Sequence, residues 1–282
     1  MLTASPTYVT QRNGQDANAE TLAPLAFAGH AHFTAMQVRD RKIRGLDLHL
    51  DRLRAASMQM YGHALPDERI CAYLRSAIEA GPADLSLTAT VYSPAGEFVV
   101  AGPGIEPEIL IRTSPAATGP AGPLSLATFD YERPLPNVKH VGEVAKTHYL
   151  RAAVAQGFDD AAFVDRHGRL SEASIWNLVF WDGEAVVWPI ADMLIGTTMG
   201  IVRRQLERLG VAQRAQEVRL TDLACMAGAA VMNSWTPGIA VSALDQANLS
   251  ASPALMRTLH RAYEMEPPQD LDLSKATRVE SR

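Results

Sequence analysis

In Gly168-Arg-Leu-Ser-Glu-Ala-Ser-Ile-Trp-Asn-Leu-Val-Phe, residues 168–180, Glu172 and Asn177 bracket a compact polar turn that runs straight into an apolar strand. An ordinary edge hairpin has no use for that bracket, whereas a carboxylate held there can grip a protonated nitrogen. The same strand, Leu178–Trp181, is expected to fold back on Val186–Trp188 over the turn Asp182-Gly183. Upstream, Val141–Gln156 reads as a helix and Ala161–Val164 as a strand, with Asp165-Arg-His-Gly as a hairpin turn. A further helix starts near Thr198, its inner face marked by Val202, Leu206 and Leu209. Strands at Leu124–Phe129, Gly228–Met232 and Ile239–Val241 and a last helix at Pro253–Met265 complete the second half. The tail from Glu266, with paired prolines and many charges, is expected to be loosely held.

The first half is mixed. Leu46, Leu50 and Leu53 recur at i, i+4 and i+7 and predict a helix, and a second should follow Pro66-Asp-Glu-Arg. Strands are expected at Leu85–Tyr92 and Ile109–Thr113. The segment 114–122, SPAATGPAG, holds only small residues and proline and reads as a linker. We therefore expect an α+β and α/β chain of two domains: a smaller α+β domain over 1–115 and a larger one over 122–282.

The chain has 282 residues and a net charge of −5, with 47% apolar residues. Disorder and a basic nucleic-acid face are disfavoured by that balance. No run is apolar enough to span a bilayer and the start lacks a secretory pattern, so a cytoplasmic protein without membrane partners is expected. Cys71 and Cys225 stand alone, and the spacing of His30, His32, His140 and His148 fits no common metal site; no metal is expected.

Three places could carry chemistry. Lys139, in Leu135-Pro-Asn-Val-Lys-His, lies at a strand-to-helix junction, where α/β folds place working residues. Its rival, Lys146, falls inside the helix, off a stripe of Val141, Ala145, His148, Ala152 and Ala155, and three residues from Glu143, which offers it a surface ion pair. Glu172 is the second place. The third is Leu194-Ile-Gly-Thr-Thr, which opens a helix with glycine and two threonines, so that N–H groups and hydroxyls suited to a phosphate converge.

Together with Phe33-Thr-Ala-Met-Gln-Val, His49-Leu-Asp-Arg-Leu, Val138-Lys-His and Asn233-Ser-Trp-Thr-Pro-Gly-Ile, these stretches run in order from about Phe27 to Leu244. In that order the chain resembles the class IV aminotransferases, the fold type IV pyridoxal 5′-phosphate (PLP) enzymes that include branched-chain and D-amino-acid aminotransferases and 4-amino-4-deoxychorismate lyase. The resemblance implies that Lys139, 33 residues before the acid, forms the Schiff base with PLP, and that Glu172 pairs with the pyridine nitrogen. It implies further that Arg52 grips the cofactor phosphate, with Thr197, Thr198 and Ser234 completing the cup, and that Asn177 holds the turn of the acid's motif. Phe33 and Trp235 are expected to line the substrate pocket.

With Arg52 in the first domain and the lysine and acid in the second, the cofactor is expected in the cleft between them. The implied reaction moves an amino group from an amino acid or amine to a 2-oxo acid, in a homodimer. Two alternatives stand beside it: elimination of pyruvate of the aminodeoxychorismate-lyase type, and a catalytically idle interaction module. The motifs also depart from the family. Thr34 stands where many members carry Glu, Ala173 replaces the Gly of Glu-Gly-Ser, Gly29-His-Ala-His replaces Gly-Asp-Gly, and the region Tyr92–Phe98 lacks the Arg-x-His carboxylate trap of the D-amino-acid enzymes.

Overall fold

A computed structural model describes residues 7–99 and 105–271. In chain order the elements are β1 (Thr10–Arg12), β2 (Gln15–Asp16), α1 (Ala19–Leu22), β3 (Ala31–Arg39), β4 (Lys42–Arg44), α2 (Leu46–Tyr61), α3 (Asp67–Glu79), β5 (Leu85–Tyr92), β6 (Glu108–Pro115) and β7 (Leu124–Asp130). They continue with α4 (Val144–Ala155), β8 (Asp160–Val164), β9 (Leu170–Ala173), β10 (Asn177–Trp181), β11 (Val186–Pro189), α5 (Thr197–Arg208), β12 (Gln213–Gln216), β13 (Gly228–Asn233), β14 (Thr236–Leu244), β15 (Ala247–Asn248), α6 (Pro253–Glu264) and β16 (Pro268–Gln269). No described helix is long and apolar enough to cross a membrane.

The chain divides into two compact units. The first comprises Met1–Ala117, Val138–Gly142 and Pro267–Arg282; the second comprises Thr118–Asn137 and Glu143–Glu266. In the first, the sheet runs β16-β4-β3-β5-β6-β1-β2. Strands β3, β5 and β6 alternate: Met36, Val38, Leu85, Leu87, Ile109 and Ile111 point into a core capped by Leu46, Leu50, Leu53 and the apolar face of α3, as the period-2 and period-3.6 patterns require. Gly45 (φ 66°) and Gly62 (φ 69°) bound α2 in left-handed conformations that a side chain would strain. The segment 138–142, assigned to the second domain by the sequence reading, pairs with β3 instead. Phe33 N–H donates to Lys139 C=O (2.8 Å) and Val141 N–H to Ala31 C=O (2.7 Å).

Part of the tail is also held. Pro268 and Gln269 pair with β4, and Leu271 is buried, because this stretch completes the sheet edge that β4 leaves open. Residues 272–282 lie outside the described residues.

The second unit is built on a sheet in the order β12-β11-β10-β13-β14-β7-β8-β9, with β9 also pairing β10. Parallel pairs β7–β8 and β7–β14 mark the crossovers. Helices α5 and α6 pack through Val202, Leu206, Leu255 and Leu259 on one part of the sheet, and α4 packs on β7 and β8 around Ala153 and Phe163. The strands β9, β10 and β11 are buried along their length, as expected for strands covered on both faces.

Candidate active site

The polar bracket is real and its register is fixed. Glu172 in β9 stands directly opposite Asn177 in β10, and both are buried. Asn177 does more than hold its own turn. Its amide N–H donates to Leu194 C=O (2.6 Å), and its carbonyl accepts from Gly196 N–H (3.0 Å), which fixes the loop entering α5. A Cβ at Gly196 would lie 2.1 Å from Asn177 Oδ1, so this close approach requires glycine.

Gly196 caps α5 without a side chain, leaving the first N–H groups of the helix to another partner. Thr197 and Thr198 are buried at this helix start, and the Thr198 hydroxyl donates to Asn233 C=O (2.8 Å) at the end of β13. Ser234 and Trp235 follow in the turn to β14. Trp235, 39% exposed, donates its backbone N–H to Asn233 Oδ1 (2.8 Å), and its ring meets Trp176 edge to face. Thus Glu172, Thr197, Thr198 and Ser234 are linked through Asn177 and Asn233 within one unit.

Lys146 is not on the helix surface. The inward stripe of α4 is Lys146, Tyr149, Leu150 and Ala153, and Lys146 is 6% exposed. Its Nζ donates to Glu172 Oε1 (2.9 Å) and lies 5.6 Å from the centre of the Phe163 ring. Arg133 Nε lies 3.2 Å from the same oxygen, and Arg133 Nη2 reaches Glu143 (2.5 Å), whose second oxygen accepts from the Tyr131 hydroxyl (3.3 Å). The stripe read from the sequence is out of phase by one position, and the surface pair with Glu143 gives way to a buried pair with Glu172. Burial pushes the Lys146 pKa below the ordinary lysine value, against the pull of Glu172 in the opposite direction. A buried lysine shifted in this way marks a functional-site candidate; the sequence reading named Lys146 only as the rival of Lys139 and did not single out Arg133.

In the first unit, Lys139 is half-buried with its Nζ 4.9 Å from the centre of the Phe33 ring, a cation–π distance. Arg52 lies in α2 one turn beyond His49. His49 is buried and its Nδ1 meets Thr34 Oγ1 at 2.6 Å, so the residue that departs from the family's usual Glu ties α2 to β3. Burial pushes the His49 pKa down to about 3 and that of His32 to about 4, so both rings are neutral at pH 7.

Known proteins fit this geometry. The family described as amino-transferase class IV matches residues 31–244, which span Phe33, Arg52, Lys139, Glu172, Thr197, Thr198 and Ser234. No curated protein sequence matches the chain. Among solved structures, branched-chain amino acid aminotransferase from Escherichia coli aligns with TM-score 0.78 at 15% identity, over 92% of this chain and 94% of that one. A Legionella pneumophila protein assigned as a 4-amino-4-deoxychorismate lyase aligns with TM-score 0.78 at 17% identity, over 85% and 92%. An aminotransferase from Brucella abortus, bound to PLP, aligns with TM-score 0.78 at 17% identity, over 91% and 98%. The architecture is that of fold type IV, and with the match over 31–244 the chain belongs to the class IV aminotransferases.

Proposed function

We propose that the protein binds PLP and transfers an amino group from an amino acid or amine to a 2-oxo acid. The observation that carries this reading is the buried carboxylate of Glu172, locked opposite Asn177, which in turn fixes the side-chain-free start of α5. The residues fit the cofactor. A buried carboxylate suits a protonated ring nitrogen. The uncapped N–H groups at Thr197 and Thr198, with the Ser234 hydroxyl, suit a phosphate dianion, and the family resemblance is what adds the Arg52 guanidinium. When bound, PLP supplies an electron sink for charge that develops at the substrate Cα.

Lys139 is the amine that joins the cofactor covalently. With a substrate amine in its place, its Nζ can take the proton from the substrate Cα. The competing lysine is Lys146, which is buried and already touches Glu172. That contact argues for a different role, because its Nζ is already held by the carboxylate that would take the ring nitrogen. The family resemblance is what proposes Phe33 and Trp235 as substrate-contacting residues and a homodimer as the active species.

The elimination reaction has its own support, because a lyase-assigned protein is as similar in fold as the aminotransferases. Amino-acceptor dependence separates the two. Consumption of an amino donor only when pyruvate or 2-oxoglutarate is present supports transfer; pyruvate release from aminodeoxychorismate without acceptor refutes it. Absence of PLP binding and of both reactions would support the interaction-module alternative.

A further inference from the structure

The loops that carry Glu172, Thr197, Thr198 and Ser234 also carry an aromatic pair. Trp176 lies between Glu172 and Asn177, and Trp235 follows Ser234 directly. Their rings meet edge to face, with centres 5.8 Å apart and planes at 77°. Trp235 is tied to the helix start through Asn233, whose Oδ1 accepts the Trp235 backbone N–H and whose C=O accepts the Thr198 hydroxyl.

A buried carboxylate holds the pair. Asp160 and Trp176 are both buried, and the Trp176 indole N–H donates to Asp160 Oδ2 (2.8 Å). Indole has this one donor and no acceptor, so the bond fixes the direction of the ring. Asp160 Oδ1 accepts from Ala161 N–H (2.6 Å), which fixes the carboxylate in turn. The chain at Gly119 closes a second side of Trp235, where an added Cβ would lie 3.5 Å from the tryptophan Cβ. Trp235 still keeps 39% of its surface open. An anchored indole left open beside a polar helix start is suited to meet a ligand.

The same loops limit what that ligand can be. Residues 172–177, 194–198 and 233–236 include no lysine, arginine or histidine, and their one carboxylate is Glu172. The cations that reach Glu172, Lys146 and Arg133, are buried with it. A charged group laid against the Trp235 ring would lose water without gaining a partner from these loops, whereas an apolar group gains burial.

We infer that the Trp235 ring takes an uncharged, apolar side chain of the amino donor, and that Asp160 is a positioning residue that sets this ring through Trp176. This rests on the PLP reading above and narrows the donor to that class.

The test is the binding of two unreactive acids, 3-phenylpropanoate and glutarate, to the PLP-loaded protein by titration calorimetry, with PLP affinity measured separately by absorbance. Both acids are achiral, so the handedness of the donor does not enter. The wild type is expected to bind 3-phenylpropanoate about tenfold or more tightly than glutarate. Trp235→Ala should weaken 3-phenylpropanoate by about fivefold or more. Asp160→Ala should do the same while PLP affinity stays within about twofold, and Asp160→Asn, which keeps an oxygen for the indole N–H, should restore binding. Trp176→Phe, which keeps a ring and loses the N–H, takes the place of Asp160→Ala where that variant fails to fold. Equal binding of the two acids, or binding of neither, would overturn the donor class. Unchanged 3-phenylpropanoate affinity in Trp235→Ala would overturn the inference whatever that variant does to the oligomeric state. Equal losses of PLP and 3-phenylpropanoate affinity in Asp160→Ala would reduce Asp160 to a purely structural residue and overturn its positioning role. Failure of the wild type to bind PLP would refute the functional reading and this inference with it.

Discussion

Gly196→Ala tests the loop that leads into α5. Its backbone (φ −66°, ψ 146°) is open to alanine, so strain is not the issue, and reduced freedom of the unfolded chain would by itself stabilise the variant by about 0.4–1 kcal/mol. The obstacle is contact: the new Cβ would lie 2.1 Å from Asn177 Oδ1, and Asn177 is buried and cannot swing into water. Displacing it breaks the bonds to Leu194 C=O and Gly196 N–H and strands buried polar groups, at about 1–3 kcal/mol each, so a net loss of about 2–4 kcal/mol is expected. Asn177→Ala alone should cost a similar amount. In the double variant the clash is gone, and Gly196→Ala should cost almost nothing further. Thermal denaturation of the four proteins measures the coupling, expected at about 2 kcal/mol or more, and PLP affinity should follow the same pattern. Additive effects of the two substitutions would refute the clamp.

Three further outcomes follow from the same contacts. Glu172→Gln leaves Lys146 and Arg133 beside a neutral amide, and removal of one partner from a buried pair should destabilise the apoprotein by about 3–5 kcal/mol in denaturant titrations. His32 and His49 have folded pKa values, about 4 and 3, below the unfolded value of about 6.5, so the unfolded chain binds more protons between those limits. Stability should therefore be fully present above about pH 6.5 and fall as pH drops toward 4, with the slope about one proton shallower in His49→Gln; a slope unchanged by that substitution would contradict the assignment. Trp235→Ala should lower stability by only the edge contact with Trp176, about 0.5–1.5 kcal/mol, while raising KM for the amino donor; an unchanged KM would remove Trp235 from the pocket.

The elements legible in the sequence were those with strong periodicity. Leu46, Leu50 and Leu53 mark α2, and β5 runs over Leu85–Tyr92 as its alternation predicts. The register of Glu172 on Asn177 follows from the short hairpin between them. The phase of α4 was not legible from its alanines, because Ala145, Ala152 and Ala155 carry too little apolar bulk to outweigh Tyr149 and Leu150. Anchoring the helix on Tyr149 and Leu150 would have turned Lys146 inward. Its partners, Arg133 and Glu172, lie 13 and 26 residues away, and only the packing of α4 across β7 and β8 brings them together. The pairing of 138–142 with β3 rests on backbone bonds between segments about a hundred residues apart, which no local pattern announces. The same holds for β16, two residues long and exposed at both.

The central claim is that Lys139, and not the buried Lys146, is the residue that joins the cofactor. Borohydride reduction of the PLP-loaded protein, followed by peptide mapping by mass spectrometry, tests it directly: the account predicts the pyridoxyl label on Lys139, and a label on Lys146 or on no lysine would contradict it.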